Sequence, residues 1–347
     1  MAGPLRFRRS NARWTEDRVR RDLLAPLDDS FGASIGTGRF ASPKGYRARR
    51  IDMDNGDVAL FAWRRDSRSA YWLGNTTTPE PLWRTDKCDL DDAPYAVSRW
   101  VQRELLADLE AQSPELAARS YVSWFFLPVF FSKDGRTSTR RFFLEHAAGF
   151  PDANPQIALR FYDDFLRSGV LDPYRETMAG KLGTSPHVDH VRMDAAMGEL
   201  NAAKLLHDAG YEFVPEIALD SGHALDFAVG EGVRAVRADG GGYRTSDALV
   251  EVTRPLPPSR RTADTPVAAV RATANAKTDD QLDAHPDALL LVDCSSFHDD
   301  DWNAVRAEQP PVKHTPAVVY RMRPNGSAEA YAHGSPRIDL GDAVRWV

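Results

Sequence analysis

The chain has 347 residues, carries 44 Lys and Arg against 50 Asp and Glu for a formal net charge of −6, and is 42% hydrophobic. That length supports two domains of ordinary size, each with its own core, and the composition excludes whole-chain disorder, collagen-like sequence and low complexity. The longest apolar run, Tyr121 to Phe131, is broken by Ser123 and Pro128 and is too short to span a bilayer; the basic start has no apolar stretch behind it, and Cys88 and Cys294 are too few for a disulfide framework or a structural zinc site.

No internal repeat is visible. Along the first half, a helix is expected from about Thr15 to Leu24, stopped near Pro26. Arg49–Met53 and Asp57–Trp63 flank Asp54-Asn55-Gly56 and read as a hairpin. Tyr95–Gln112 reads as an amphipathic helix, Tyr121–Phe131 as buried strand or extended core, and Asn154–Arg167 as another helix. Leu171 to Pro186, with its Pro, Gly and Ser, is the expected boundary, giving an Arg- and Trp-rich α+β domain over 1–180, of unassigned fold, and a second domain over 187–347.

In the second half, His187 to Ala209 is a helical stretch ended by Gly210. Glu212–Leu219 and His223–Val229 read as strands across an Asp220-Ser-Gly turn, with Val233–Val236 extending the meander before a flexible Asp239-Gly-Gly-Gly loop. Ala248–Thr253 is a third main strand. Asp264 and Thr265 with Pro266 open a helix reaching about Leu282, and Ala288–Asp293 is an apolar strand buried on both faces. The expected order is helix, three strands, helix, strand, with later strands at Pro316–Met322 and Ala328–Ala332.

Charge is unevenly placed. Only seven of the basic residues are lysine and 36 of the acidic ones are aspartate, a usage resembling that of halophilic archaea. Residues 1–180 sum to +2 and residues 181–347 to −8, and residues 1–50 alone hold 12 basic against five acidic side chains. The Arg-rich start (Arg6, Arg8, Arg9, Arg13, Arg18, Arg20, Arg21, Arg47, Arg49, Arg50) reads either as a surface for a polyanion or as a solvated arm and helix face.

Three carboxylates of the second half stand where a carboxylate is expensive. Glu199 interrupts a stripe of Met193, Ala196, Ala203 and Leu206; shifted by one position, it would be a surface residue. Asp226 and Glu251 lie inside strands among small and apolar neighbours, although Glu251 could also be an edge residue paired to Arg254 or Arg271. Burying an unpaired carboxylate costs several kcal/mol, so a cation, a partner or a proton is required. Two carboxylates, a backbone carbonyl and waters suit Mg²⁺.

From Met193 to Asp293 the sequence resembles the PD-(D/E)XK, or restriction-endonuclease-like, nuclease superfamily. The matching segments are Gly-Glu-Leu-Asn-Ala-Ala-Lys-Leu-Leu with Glu199, Ala-Leu-Asp-Phe-Ala-Val with Asp226, and Leu-Val-Glu-Val-Thr-Arg-Pro with Glu251, followed by the Ala268–Leu282 helix and the Leu289–Asp293 strand. The resemblance implies an α/β fold with an αβββαβ core, separate from the α+β N-terminal domain. It makes Asp226 and Glu251 ligands of Mg²⁺ or Mn²⁺, the Val252 carbonyl a further one, and Glu199 a direct or water-mediated support. As a whole the chain resembles a haloarchaeal protein family.

Leu225 stands where the motif has Pro, and Thr253 where it has the catalytic Lys. A neutral hydroxyl cannot supply that positive charge. On the following helix Val267, Val270, Ala274, Lys277 and Gln281 share a stripe, so Lys277 is the candidate replacement, with Arg254 second and Gln281 positioned to hold substrate or water. Equally, the Lys277 stem could simply pack along an apolar groove with its head in water. Weaker patterns are His187-Val-Asp-His190, a helix start whose Asp189 and His190 could approach a metal; Ser34-Ile-Gly-Thr-Gly-Arg, which lacks a third glycine; Cys294, read as core; and Asp299-Asp300-Asp301, read as a helix N-terminus ahead of Trp302.

The sequence therefore points to a soluble, cytoplasmic, metal-dependent nuclease acting on nucleic acid, DNA before RNA, with Glu199, Asp226, Glu251, Lys277 and Gln281 as catalytic residues and no membrane partner. The alternative is an inactive nuclease-fold module that binds nucleic acid or a protein.

Overall fold

The computed structural model describes residues 5–76, 79–80, 82, 84–87, 90, 93–133, 135–218, 224–230, 248–260 and 263–347. The protein is a mixed α/β chain with two sheets and two compact units, Met1–Arg141 with Leu182–Val188, and Phe142–Lys181 with Asp189–Val347. The second unit thus begins before the boundary expected at Leu171–Pro186. The helix Pro155–Leu166 belongs to it because the buried Tyr162 hydroxyl donates to Asn201 Oδ1 at 3.0 Å. Leu182–Val188 belongs to the first unit, where the Ser138 hydroxyl donates to the Ser185 carbonyl at 2.5 Å.

The first unit holds a six-stranded antiparallel sheet, ordered 34–36, 47–52, 58–63, 70–74, 6–10, 84–87. The expected hairpin is present, with Asp52 opposite Val58 and Gly56 at a φ of 78° that favours glycine. Trp14, Trp63 and Trp72 build its core: Trp14 meets Phe61 edge-on at 5.0 Å, and Phe61 stacks on Trp63 at 5.5 Å. Helix Tyr95–Gln112 has its expected bounds.

Two expectations fail in this unit. Ser120–Phe130 is an α-helix, not a strand. Its side chains are apolar nearly all round, as suits a buried helix, and such a run carries neither period. The first helix also does not stop at Pro26. It runs from Glu16 to Phe31 through a π-helical segment at Arg20–Leu24 and ends at Gly32. Pro26 follows a stretch whose hydrogen-bond ladder has already shifted register, so its missing N–H breaks nothing further. Several of the clustered arginines have internal partners: Arg49 grips Glu16 with two bonds of 2.8 and 2.9 Å, and Arg50 reaches Asp108 and Asp52, each at 2.7 Å.

In the second unit we label α1 (Pro155–Leu166), α2 (Arg175–Gly180), α3 (His190–Asp208), β1 (Phe213–Ala218), β2 (Ala224–Val229), β3 (Ala248–Thr253), α4 (Pro266–Asp280), β4 (Leu289–Asp293), α5 (Asp299–Glu308), β5 (Ala317–Met322), β6 (Ala328–His333) and β7 (Arg345–Trp346). Helix, three strands, helix and strand follow one another as expected. The expected strand at Val233–Val236 and the Asp239-Gly-Gly-Gly loop lie outside the described residues. The sheet is ordered β7-β6-β5-β4-β3-β2-β1; β1 to β3 form an antiparallel meander, and β4 joins β3 in parallel. Helices α4 and α5 cover the face bearing Leu290, Val292 and Val319 through Val270, Ala274, Trp302 and Val305. Asp299 opens α5, and Cys294 is core. Among the described residues no helix is long and apolar enough to cross a membrane.

A fully buried ion pair ties β3 to β4. Arg254 Nη1 lies 3.3 Å from Asp293 Oδ2, with both side chains wholly inaccessible. Arg254 also donates to the Gly149 carbonyl at 2.6 Å, and Asn201 of α3 donates to Asp293 at 3.0 Å. Removing one member leaves an uncompensated charge in the interior. Asp293→Ala is expected to lower unfolding stability by about 3–5 kcal/mol in urea titration, whereas Asp300→Ala on the exposed start of α5 should change it by less than about 0.5 kcal/mol.

Candidate metal centre

The ladder between β2 and β3 covers Phe227 opposite Val250 through Val229 opposite Ala248. At Asp226 a side chain takes over from the backbone: Asp226 Oδ2 accepts the Val252 N–H at 2.8 Å. The carboxylate is thereby pinned between the two strands, in place of a strand carbonyl. One residue on from Val250, Glu251 stands in register with Leu290 of β4 and is 1% exposed. Strand β3 is interior, with β2 and β4 on either side, so the edge-strand reading of Glu251 does not apply.

Glu199 reaches the same end of the sheet because α3 packs closely. A Cβ on Gly198 would stand 3.1 Å from Arg254 Cβ and Cδ and 3.4 Å from Asp293 Oδ2, so glycine at this position permits the approach of the helix. The rest of the stripe, Met193, Ala196, Ala203 and Leu206, is buried as expected.

Two residues that the sequence reading did not single out complete the cluster. Glu216 of β1 lies between the pairs Pro215–Phe227 and Ile217–Leu225, opposite Asp226, with a φ of 59° that is uncommon for a non-glycine residue. Lys181, directly after α2, places its ammonium against Glu199 Oε2 and Glu216 Oε1 and 3.5 Å from Asp226 Oδ1. Glu199, Glu216 and Asp226 each offer an oxygen within 4.8 Å of the others, and they are the one group of three or more potential ligands among the described residues. His187, Asp189 and His190 are not part of it: Asp189 caps α3 through the Arg192 N–H, and His190 Nδ1 accepts from Arg260 at 3.0 Å.

Lys277, on α4, donates to Glu251 Oε1 at 2.5 Å and to Gln281 Oε1 at 2.8 Å. Glu251, expected as a ligand, is not in the group of three, where Glu216 stands instead; the Asp226 charge still acts on Glu251, and those of Asp226 and Glu199 act on Lys277. Glu199, Asp226, Glu251, Lys277 and Gln281 thus lie in one region, while Arg254, the second candidate for the missing lysine, is committed to Asp293. Thr253 is buried, paired in register with Val292.

Burial dominates the electrostatics. It pushes Glu251 up to about 7, with the Asp226 charge adding to the rise and Lys277 opposing it. It raises Glu199 to about 8, again helped by Asp226 and opposed by Lys181. Asp226 is raised too, against the pull of Lys181 and the Val252 N–H. Lys181 and Lys277 are both raised, since the surrounding carboxylates outweigh their own desolvation. With everything ionised, Glu199, Glu216, Asp226 and Glu251 exceed the two ammonium groups by two negative charges. Among the described residues the buried Glu251 Oε2 has no hydrogen-bond partner. A hard oxygen donor set, an unsatisfied carboxylate oxygen and an excess of two negative charges fit one divalent cation of the Mg²⁺ or Mn²⁺ kind.

The chain matches the model of a family of unknown function (DUF5784) over residues 2–340. It belongs to that family. No curated protein and no solved structure matches it.

Neither Lys181 nor Glu216 carried a periodic signal. Lys181 follows a short helix inside the Pro- and Gly-containing stretch read as a boundary, and Glu216 sits in an otherwise apolar strand. The available clue was spacing: antiparallel pairing of the expected strands Glu212–Leu219 and His223–Val229 sets Glu216 opposite Asp226, although the expected Asp220-Ser-Gly turn between them lies outside the described residues.

A carboxylate whose pKa is higher folded than unfolded contributes stability at low pH that is lost as pH climbs through the folded value. Between about pH 4.5 and 8, metal-free protein is expected to lose stability through Glu251 and Glu199. Glu251→Gln, which cannot titrate, should flatten the dependence of Tm on pH over that range, as scanning calorimetry in the presence of a chelator would record. An equally steep profile in the variant would contradict the assignment.

Proposed function

We propose that the second unit is a restriction-endonuclease-like nuclease that hydrolyses phosphodiester bonds of nucleic acid, DNA before RNA, with Mg²⁺ or Mn²⁺ held by Asp226, Glu251 and Glu199. The observation that carries this reading is the convergence of Glu199 of α3 and Asp226 of β2, with Glu216 of β1, within 4.8 Å, beside Glu251 of β3, on which the Asp226 charge acts and whose Oε2 has no hydrogen-bond partner among the described residues. The order α3-β1-β2-β3-α4-β4, an antiparallel meander followed by a strand parallel to β3, agrees with the core that the superfamily resemblance implies.

A bound divalent ion supplies a water of lowered pKa and screens charge building on the phosphate. The residues of the chain divide the remaining work. The Val252 N–H fixes the Asp226 carboxylate in orientation. Glu251 offers its free oxygen while the other holds Lys277, whose ammonium provides the positive charge that Thr253 lacks. Gln281 anchors that ammonium from the end of the same helix. Glu199 adds negative charge and a hydrogen-bond acceptor beside Asp226.

A second reading, an inactive module of the same fold that binds nucleic acid or a protein, is favoured by Thr253 at the usual lysine position. The two separate on enzymology with purified full-length protein. With Mn²⁺ at high salt, the wild type is expected to cleave DNA, and folded Asp226→Ala to be slower by on the order of 10²-fold or more. Lys277→Met should abolish cleavage while Mn²⁺ still binds in calorimetry. Equal cleavage by wild type and Asp226→Ala would end the catalytic assignment; Mn²⁺ binding without cleavage of DNA or RNA would favour the inactive module.

A further inference from the structure

We propose that Lys181 is the resting occupant of the cation position, so that loading of the centre is an exchange of one ammonium for one divalent ion. This rests on the metal centre of the proposed nuclease and concerns how that centre is regulated.

The Lys181 ammonium touches Glu199 and Glu216 and lies 3.5 Å from Asp226 Oδ1. These three carboxylates form the one potential ligand group among the described residues. Two of the three, Glu199 and Asp226, are ligands assigned to the ion above; a divalent ion needs its oxygens at about 2.0–2.6 Å, and it and the ammonium cannot both take them. Beside the three stands Glu251, 1% exposed and acted on by the Asp226 charge, whose Oε2 has no hydrogen-bond partner among the described residues and which Lys181 does not reach. With all four carboxylates ionised, two negative charges remain unmatched. The centre is thus held together by an internal monovalent cation yet still favours a divalent one.

Lys181 is also built to leave. It belongs to neither the sheet nor α3 but follows the six-residue helix α2, and a lysine stem turns about four bonds. Glu216, its outer partner, has a side chain 39% exposed, so the head group has a route to solvent without movement of Asp226 or Glu199. Once displaced, the ammonium remains tethered beside the centre, where the phosphodiester anion of a substrate would meet it. The internal ion sets a threshold: metal binds only at concentrations that outcompete it.

The test is Mn²⁺ titration calorimetry on full-length wild type, Lys181→Met and Lys181→Arg. Removing the competing charge should tighten Mn²⁺ binding at least about tenfold in Lys181→Met, and Lys181→Arg should restore the weaker wild-type affinity. Acetic anhydride labelling of the wild type, mapped by peptide mass spectrometry, provides a measurement independent of any variant. Saturating Mn²⁺ should raise Lys181 labelling severalfold and leave the exposed Lys313 unchanged. The inference is overturned by unchanged or weaker Mn²⁺ binding in a folded Lys181→Met, or by Lys181 labelling that does not rise when Mn²⁺ is bound. Exchange observed in a protein that cleaves neither DNA nor RNA would uphold the inference while the nuclease reading falls. Absence of Mn²⁺ binding in both wild type and Lys181→Met would remove the metal centre and this inference together.

Discussion

Four carboxylates and two ammonium groups share one end of the second sheet, and the burial of Glu199, Asp226 and Glu251 keeps water from neutralising the difference. Water would dissipate such an imbalance at the surface; here desolvation raises the proton affinity of Glu199, Asp226 and Glu251 even though each lies near a lysine. The local hydrogen bonds follow from that constraint. Asp226 takes a backbone N–H, Glu251 takes the Lys277 ammonium, and Lys181 is drawn in among three acids. Whatever supplies the remaining positive charge, a proton or a metal ion, is bound by the same deficit.

The scaffold beneath the cluster is polar and fully enclosed. Arg254 leaves β3 just beyond Glu251 and Thr253, meets Asp293 of β4, and reaches the Gly149 carbonyl; Asn201 links Asp293 to α3, and Tyr162 links Asn201 to α1. Such a network costs more than an apolar core of equal volume unless every member is paired, but it admits fewer arrangements. It fixes the end of β3 and the approach of α3 together, and so sets the distance between Glu251 and Glu199. Gly198 contributes by lacking a side chain where one would strike Arg254.

Much of this was legible locally. Glycine and proline marked the ends of α3 and α4, and β1 to β6 of the second unit lie within a residue or two of their expected positions, because a period of two or 3.6 and a capping residue are local properties. The two-residue β7 was not expected. The stripes that singled out Glu199 and Lys277 are of the same kind. Reading failed where local signals are silent or misleading. The run from Tyr121 to Phe131 is apolar on every side and carries no period, and the helix through Pro26 continues only because a π-helical segment precedes it.

The sequence by itself determined the order of elements, the acidic residues placed against apolar neighbours, and the lysine stripe facing a sheet, since each is settled by residues within a few turns or one hairpin of one another. Tertiary structure alone decided that β2 and β3 part at Asp226, that Arg254 turns to Asp293 rather than to Glu251, and that Lys181 enters from beyond α2. Those outcomes depend on distances between segments tens of residues apart, set by how closely α3 packs and how the buried charges pair, and no spacing along the chain encodes them.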